Sequence, residues 1–202
     1  MADALADEYD VQIRTGAQIL NHRTIPEADY IVTGSMGGLL AMELLPESCK
    51  KLVLISSTAK FCATEGYRCG TPEKVLRRMI MQLKRDPEAV LDAFFRNVHF
   101  PFRESRQAIS MRENEPFDLD ALVAGLDYLL ASDIRDTVPG IALPVLLLHG
   151  SEDRIIPSTA SEWLHAHLSN STLKIIANDG HALPAHHFES VMKSIESFLA
   201  AK

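Results

Sequence analysis

Hydrophobic and polar positions change their spacing twice along the chain. At the start, Ala-Asp-Ala-Leu-Ala-Asp-Glu after Met1 reads as part of a helix, and residues 11–14 (Val-Gln-Ile-Arg) alternate as a short strand would, ended by Thr15-Gly16. Residues 21–29 are polar with Pro26, a loop that leads into a short apolar strand at 30–32. That strand runs through a glycine-flanked serine into an apolar stretch, residues 39–45, which is expected to be helical and to end at Pro46. Residues 51–55 (Lys-Leu-Val-Leu-Ile) are continuously apolar after the first, the pattern of a strand covered on both faces.

From Thr58 to about Pro139 the period becomes helical. Residues 72–84 place Val75, Leu76, Met79, Ile80 and Leu83 three and four apart, residues 87–98 continue with Val90, Leu91, Phe94 and Phe95, and residues 118–131 carry Leu119, Leu122, Val123, Leu126, Leu129 and Leu130. No strand pattern interrupts them. Strand spacing returns at 145–149, followed by a helix at 158–167, a strand at 172–176 and a last helix at 188–199. Strands alternating with helices imply an α/β fold with a mostly parallel sheet. The expected organisation is a first part of the core at 1–57, a helical cap inserted at 58–139 and a second part of the core at 140–202.

Composition narrows the function classes. With 202 residues, 47% of them hydrophobic, the chain is long enough for one sizeable core. A formal net charge of −7 excludes the basic footprint that general nucleic-acid binding needs. No apolar run approaches a membrane span and no leader pattern follows Met1, so the reading is no membrane association and a cytoplasmic location. Cys49, Cys62 and Cys69 have no metal-ligand spacing and are expected to be reduced thiols; no metal and no organic cofactor is implied.

The chemistry centres on Gly34-Ser35-Met36-Gly37-Gly38, a strand–turn–helix context in which a serine would stand exposed on a sharp turn as a nucleophile. Small neighbours allow the turn, and the Met36 amide at the helix start is placed to hold an oxyanion. The G-x-S-x-G pattern has Thr33 in its first position here. A hydroxyl needs a base, and the base an orienting acid. Asp153 follows the strand at 145–149 and His181 follows the strand at 172–176. Glu152 and Asp179 are rival acids, while His186 and His187 compete with His181. His149, at the end of a buried strand, reads as a hydrogen-bonded core residue.

The order Ser35, Asp153, His181 resembles that of the α/β-hydrolase superfamily. Within it, residues 56–62 (Ser-Ser-Thr-Ala-Lys-Phe-Cys) and 126–135 (Leu-Asp-Tyr-Leu-Leu-Ala-Ser-Asp-Ile-Arg) are similar to the carboxylesterases that cut pimeloyl-acyl carrier protein methyl ester in biotin synthesis. The resemblance runs from Asp29 to the C-terminus. It implies a serine carboxylic-ester hydrolase working through an acyl-enzyme, with Ser35 as nucleophile, His181 as base, Asp153 as orienter and the Met36 amide as oxyanion donor. A thioesterase or acyltransferase would use the same residues, and a catalytically silent binding protein is the reading from another class. The family elbow is Gly-Trp-Ser-Met-Gly-Gly, and its members carry several strands and a His-Gly loop before it. Those N-terminal strands are expected to be missing or reduced here, together with one oxyanion donor. Such a loss costs roughly 3 kcal/mol of transition-state stabilisation. An exposed sheet edge left in this way would favour a homodimer.

Residues 60–112 hold eleven Lys and Arg against six Asp and Glu, in an otherwise acidic chain. A solvated helical face is one reading. The other is docking of a carrier-linked acyl ester or of acyl carrier protein itself, with Lys74, Arg77, Arg78 and Arg85 on or beside one face. Phe61, Met79, Met81, Phe94 and Phe95 are candidates to line an acyl pocket.

Overall fold

A computed structural model describes residues 1–105, 109 and 117–201. Among them, strands β1 (Tyr30–Gly34), β2 (Lys51–Ile55), β3 (Val145–Gly150) and β4 (Ser171–Ile176) form one sheet in chain order, every pair parallel. Helices α1 (Ala2–Leu5) and α2 (Gly16–His22) precede β1, and α3 (Met36–Glu43) joins β1 to β2. Among the described residues, helices α4 (Glu73–Leu83), α5 (Pro87–Val98) and α6 (Leu119–Ala131) lie between β2 and β3. Helix α7 (Thr159–His167) links β3 to β4, and α8 (Leu183–His186) and α9 (Phe188–Ala200) follow.

The continuous apolar character of β2 and β3 has a direct cause in the layering. Leu52, Leu54, Val145 and Leu147 point to one side, where they meet Leu39 and Met42 of α3 and Leu164 of α7. Val53, Ile55, Leu146 and Leu148 point to the other, against Val191, Ile195 and Leu199 of α9. Both faces of the central strands are therefore dry, as helix-covered parallel sheets require.

The helices between β2 and β3 leave and rejoin the core at one neck. The Ile134 amide donates to Ala59 O at 3.0 Å, and Lys60 Nζ meets Asp133 Oδ2 at 2.8 Å. Hydrogen bonding from Arg135, followed by that from Lys60, outweighs partial burial and holds the Asp133 carboxyl well below the usual carboxylate range. Beside the neck, buried Tyr67 shares a hydrogen bond of 2.8 Å with Thr58 Oγ1, and burial pushes its phenol up to about 12. Asp86 and Asp118 cap α5 and α6 by accepting from the amides of Ala89 and Ala121 at 3.2 and 3.0 Å.

Two expectations need correction. Residues 11–14 are not a strand: Ile13 is 69% exposed, and Arg14 turns back to donate to Ile13 O at 2.8 Å. Alternating residues without a partner strand have no ladder to join. The elbow helix starts at Met36, where the oxyanion reading places it, but stops at Glu43 rather than running through residue 45 to Pro46. Among the described residues no helix is long and apolar enough to cross a membrane.

Leu147 is fully buried at the centre of one layer. Leu147→Ala is expected to cost about 2 to 5 kcal/mol, from lost transfer free energy and the cavity left behind, read as a lower midpoint in urea unfolding.

Candidate active site

The turn at Ser35 is built by close contacts that only glycine permits. Ser35 has φ 54° and ψ −129°, a region that side chains other than hydrogen seldom occupy. A strained residue of this kind costs on the order of 1 to 3 kcal/mol and persists because its surroundings over-determine it. The Ser35 amide donates to Ile55 O at 2.9 Å, Ser57 Oγ donates to Ser35 O at 3.2 Å, and the Gly38 amide donates to the same oxygen at 3.0 Å. A Cβ on Gly37 would collide with Thr33 Oγ1, and one on Gly38 with the Ser57 side chain. Helix α3 can thus sit against β1 and β2 only with those glycines. Met36 is its first residue, so its N–H has no carbonyl one turn back to bond with.

The expected acid and base, Asp153 and His181, follow the ends of β3 and β4. The Asp153 side chain is closed to solvent, and both its oxygens are occupied. Oδ1 accepts from the amides of Ile155 and Ile156 at 2.8 and 2.9 Å. Oδ2 accepts from His181 Nδ1 at 2.7 Å and lies 3.1 Å from His149 Nε2. His149 is itself buried, with Nε2 2.8 Å from Ile156 O and Nδ1 2.6 Å from Ser161 Oγ. Two acceptors face its Nε2, which therefore carries the hydrogen. Burial pushes the Asp153 carboxyl up, but hydrogen bonds and charge from His149 and His181 outweigh it and hold the group well below its ordinary value. On His181 the Nδ1–H is committed to Asp153, leaving the Nε2 lone pair free to take a proton.

Residues at the end of β2 touch both parts of the site. Ile55 and Ser57 hold the Ser35 backbone, while Ser56 Oγ donates to His181 O at 3.2 Å. Among the described residues no hydrogen bond joins Ser35 Oγ to His181. Bonds of this kind are often long until substrate tightens them.

A cavity of about 1130 Å³ opens at Ser35 and Met36 beneath α4 to α6, lined by Phe61, Leu76, Met79, Phe94, Leu122 and Leu126 among others. Met81 and Phe95, the other expected lining residues, are not part of it: Met81 is 61% exposed. Arg78, Arg85 and Arg154 stand at its wall. Arg154 had no signal in the sequence beyond its place after the acid. A second cavity of about 710 Å³ runs along β1 and shares Gly16, Ser35 and Met36 with the first.

Of the expected docking residues, Lys74, Arg78 and Arg85 are exposed and make no ion pair among the described residues, whereas Arg77 Nε is bound to Glu73 at 2.6 Å. Arg106 and Arg112 of the basic count lie outside the described residues. The rival groups have other partners. Asp179 bonds His187 Nδ1 at 2.5 Å, and His186 bonds His99 at 3.0 Å. Glu152 is exposed. No group of three His, Cys, Asp or Glu residues able to hold a metal occurs among the described residues.

A parallel sheet with a strained serine after one strand, an Asp–His pair after two later ones, and helices over the opening defines an α/β hydrolase. Residues 10–186 match the Hydrolase_4 family, described as serine aminopeptidase, S33, and the chain belongs to that family. It is 32% identical over 163 residues to a pimeloyl-[acyl-carrier protein] methyl ester esterase of Nitrosomonas europaea, covering 76% of this chain and 64% of that protein. A protein of the same name from Nitrosospira multiformis is 30% identical over 76% of this chain and 62% of its own length. The chain thus spans under two thirds of these two curated relatives. Among solved structures, an esterase from Exiguobacterium antarcticum superposes with a TM-score of 0.78 at 21% identity, over 84% of this chain and 66% of that one.

The pH dependence of stability follows from Asp153. Its folded pKa lies below the unfolded value of 3.8, so the stability it contributes is fully present above that value and is lost as pH falls through the folded pKa. Asp153→Asn should be less stable than the parent at neutral pH, and the gap in melting temperature should narrow below about pH 4.

Proposed function

We propose that the chain is a serine carboxylic-ester hydrolase working through an acyl-enzyme, with α4 to α6 acting as a cap over the acyl chamber. The observation that carries this is the His181 tautomer fixed by buried Asp153, on the same sheet end as the strained Ser35. In this reading Ser35 Oγ attacks the ester carbonyl and passes its proton to His181 Nε2. The Met36 N–H donates to the tetrahedral oxyanion. Collapse expels the alcohol, which takes the proton back from His181, and water repeats the sequence on the acyl-enzyme to release the acid.

The names of the relatives support a methyl ester carried on acyl carrier protein as substrate. The unpaired Lys74, Arg78 and Arg85 support docking of that acidic carrier, with the acyl chain in the apolar chamber. Arg77, held by Glu73, has a smaller part in it. Among the described residues β1 pairs with β2 alone, which supports association of two copies along its open edge; a monomer by sedimentation at all concentrations would count against that association.

Hydrolysis of p-nitrophenyl butyrate by the parent and by Ser35→Ala tests the chemistry. A loss on the order of ten-thousandfold or more is expected, and equal rates in the two proteins would refute it. Lys74→Glu, which lies outside the cavity wall, is expected to weaken hydrolysis of the carrier-linked ester several-fold, as loss of a steering charge does, while the short ester is cut as before. Equal losses on both substrates would sink carrier docking.

A further inference from the structure

A second carboxylate–histidine pair stands behind the His181 loop. Asp179 lies two residues before His181 and is fully buried. Its Oδ1 accepts from the Gly180 amide at 2.7 Å, and its Oδ2 accepts from His187 Nδ1 at 2.5 Å. It makes no ion pair with Lys or Arg among the described residues. A buried carboxylate is costly unless hydrogen-bonded, and here two donors, both from the segment that carries His181, meet that need.

The same short loop is gripped on every side. Its Asp179 O accepts from the Glu152 amide at 2.8 Å, and the Ala182 amide donates to Val98 O at 3.1 Å. A Cβ on Gly180 would strike Phe100 O, and one on Gly150 would strike the Asp179 and Gly180 carbonyls. The main-chain contacts fix where the loop sits against α5 and the acid loop. The Asp179 side chain adds what they lack, a tie from the peptide just before His181 to the start of α9. It sets the orientation of the Gly180 peptide and with it the direction in which His181 leaves the backbone.

We propose that Asp179 and His187 are a positioning pair for His181, a role that rests on the catalytic reading above for its effect on turnover but not for its effect on the His181 ring. Neither residue touches the reacting atoms. The pair holds the imidazole so that Nδ1 meets Asp153, and without the clamp the ring samples orientations that leave the base misaligned with Ser35. Misplacement of about 1 Å can cost a hundredfold in rate.

The test compares His187→Leu, which removes the donor, with His187→Asn, whose amide N–H can occupy the place of Nδ1–H. Ring resonances of ¹⁵N-histidine-labelled protein, with His181 assigned from its absence in His181→Gln, report its Nδ1–H directly. Broadening or loss of that signal in His187→Leu, its retention in His187→Asn and an unchanged melting temperature support the pair. On p-nitrophenyl butyrate, kcat is then expected to fall about ten- to a hundredfold in the Leu variant, with KM unchanged and kcat largely restored in the Asn variant. An unaltered His181 signal in His187→Leu overturns the proposal, as does equal impairment of both variants in step with melting temperature. If the parent shows no Ser35-dependent turnover, the catalytic reading fails while the ring signal still decides the positioning role.

Discussion

The Asp153 carboxylate, closed to solvent, is the group on which the other parts converge. Four donors meet its two oxygens: two amides of its own loop and two imidazoles from different elements. The amides curl the chain after β3 into a fixed turn. His149 ties that turn to Ser161 of α7, and His181 ties it to the loop after β4. Removing one partner from such a buried cluster leaves the others facing an uncompensated group, which is why deletions of this kind cost about 3 to 5 kcal/mol. The sheet holds the strand ends in register, and this carboxylate converts that register into the placement of one histidine.

A second constraint is steric. The serine turn needs β1, β2 and α3 closer together than a methyl group allows, and Thr33 and Ser57 occupy the space that side chains at Gly37 and Gly38 would need. Strain at Ser35 is therefore set by packing on both sides, and the departure from the usual motif at Thr33 takes part in it. Thr33 Oγ1 fills the place that a side chain at Gly37 would take.

Much of this is legible in the sequence. β2 and β3 stand out because burial on both faces writes an unbroken apolar run, and α4 to α6 because the apolar residues that line the cavity repeat at helical spacing. Residues 11–14 misled because alternation records only a tendency to extend, while a strand also needs a neighbour. The pairing of Arg77 with Glu73 was available from their spacing of four, a signal that a count of charges passes over. The order of Ser35, Asp153 and His181 along the chain was plain. Asp153 is preferred over Glu152 and Asp179 for its place after a strand; what sequence does not show is why Asp179, only two residues from His181, turns toward His187 while Asp153 reaches His181 across 28 residues.

The neck at Ala59 and Ile134, reinforced by Lys60 and Asp133, makes the helices between β2 and β3 a closed excursion from the sheet. The free energy of closing such an excursion rises by only about 0.6 kcal/mol for each doubling of its length. Insertions, deletions or wholesale replacement of α4 to α6 would therefore be felt mainly at the chamber wall and hardly in the register of β2 with β3. The fold thus separates two tolerances to change. The serine turn and the Asp–His pair sit in contacts that a single methyl group would break, while the helices over the cavity could be exchanged without touching them.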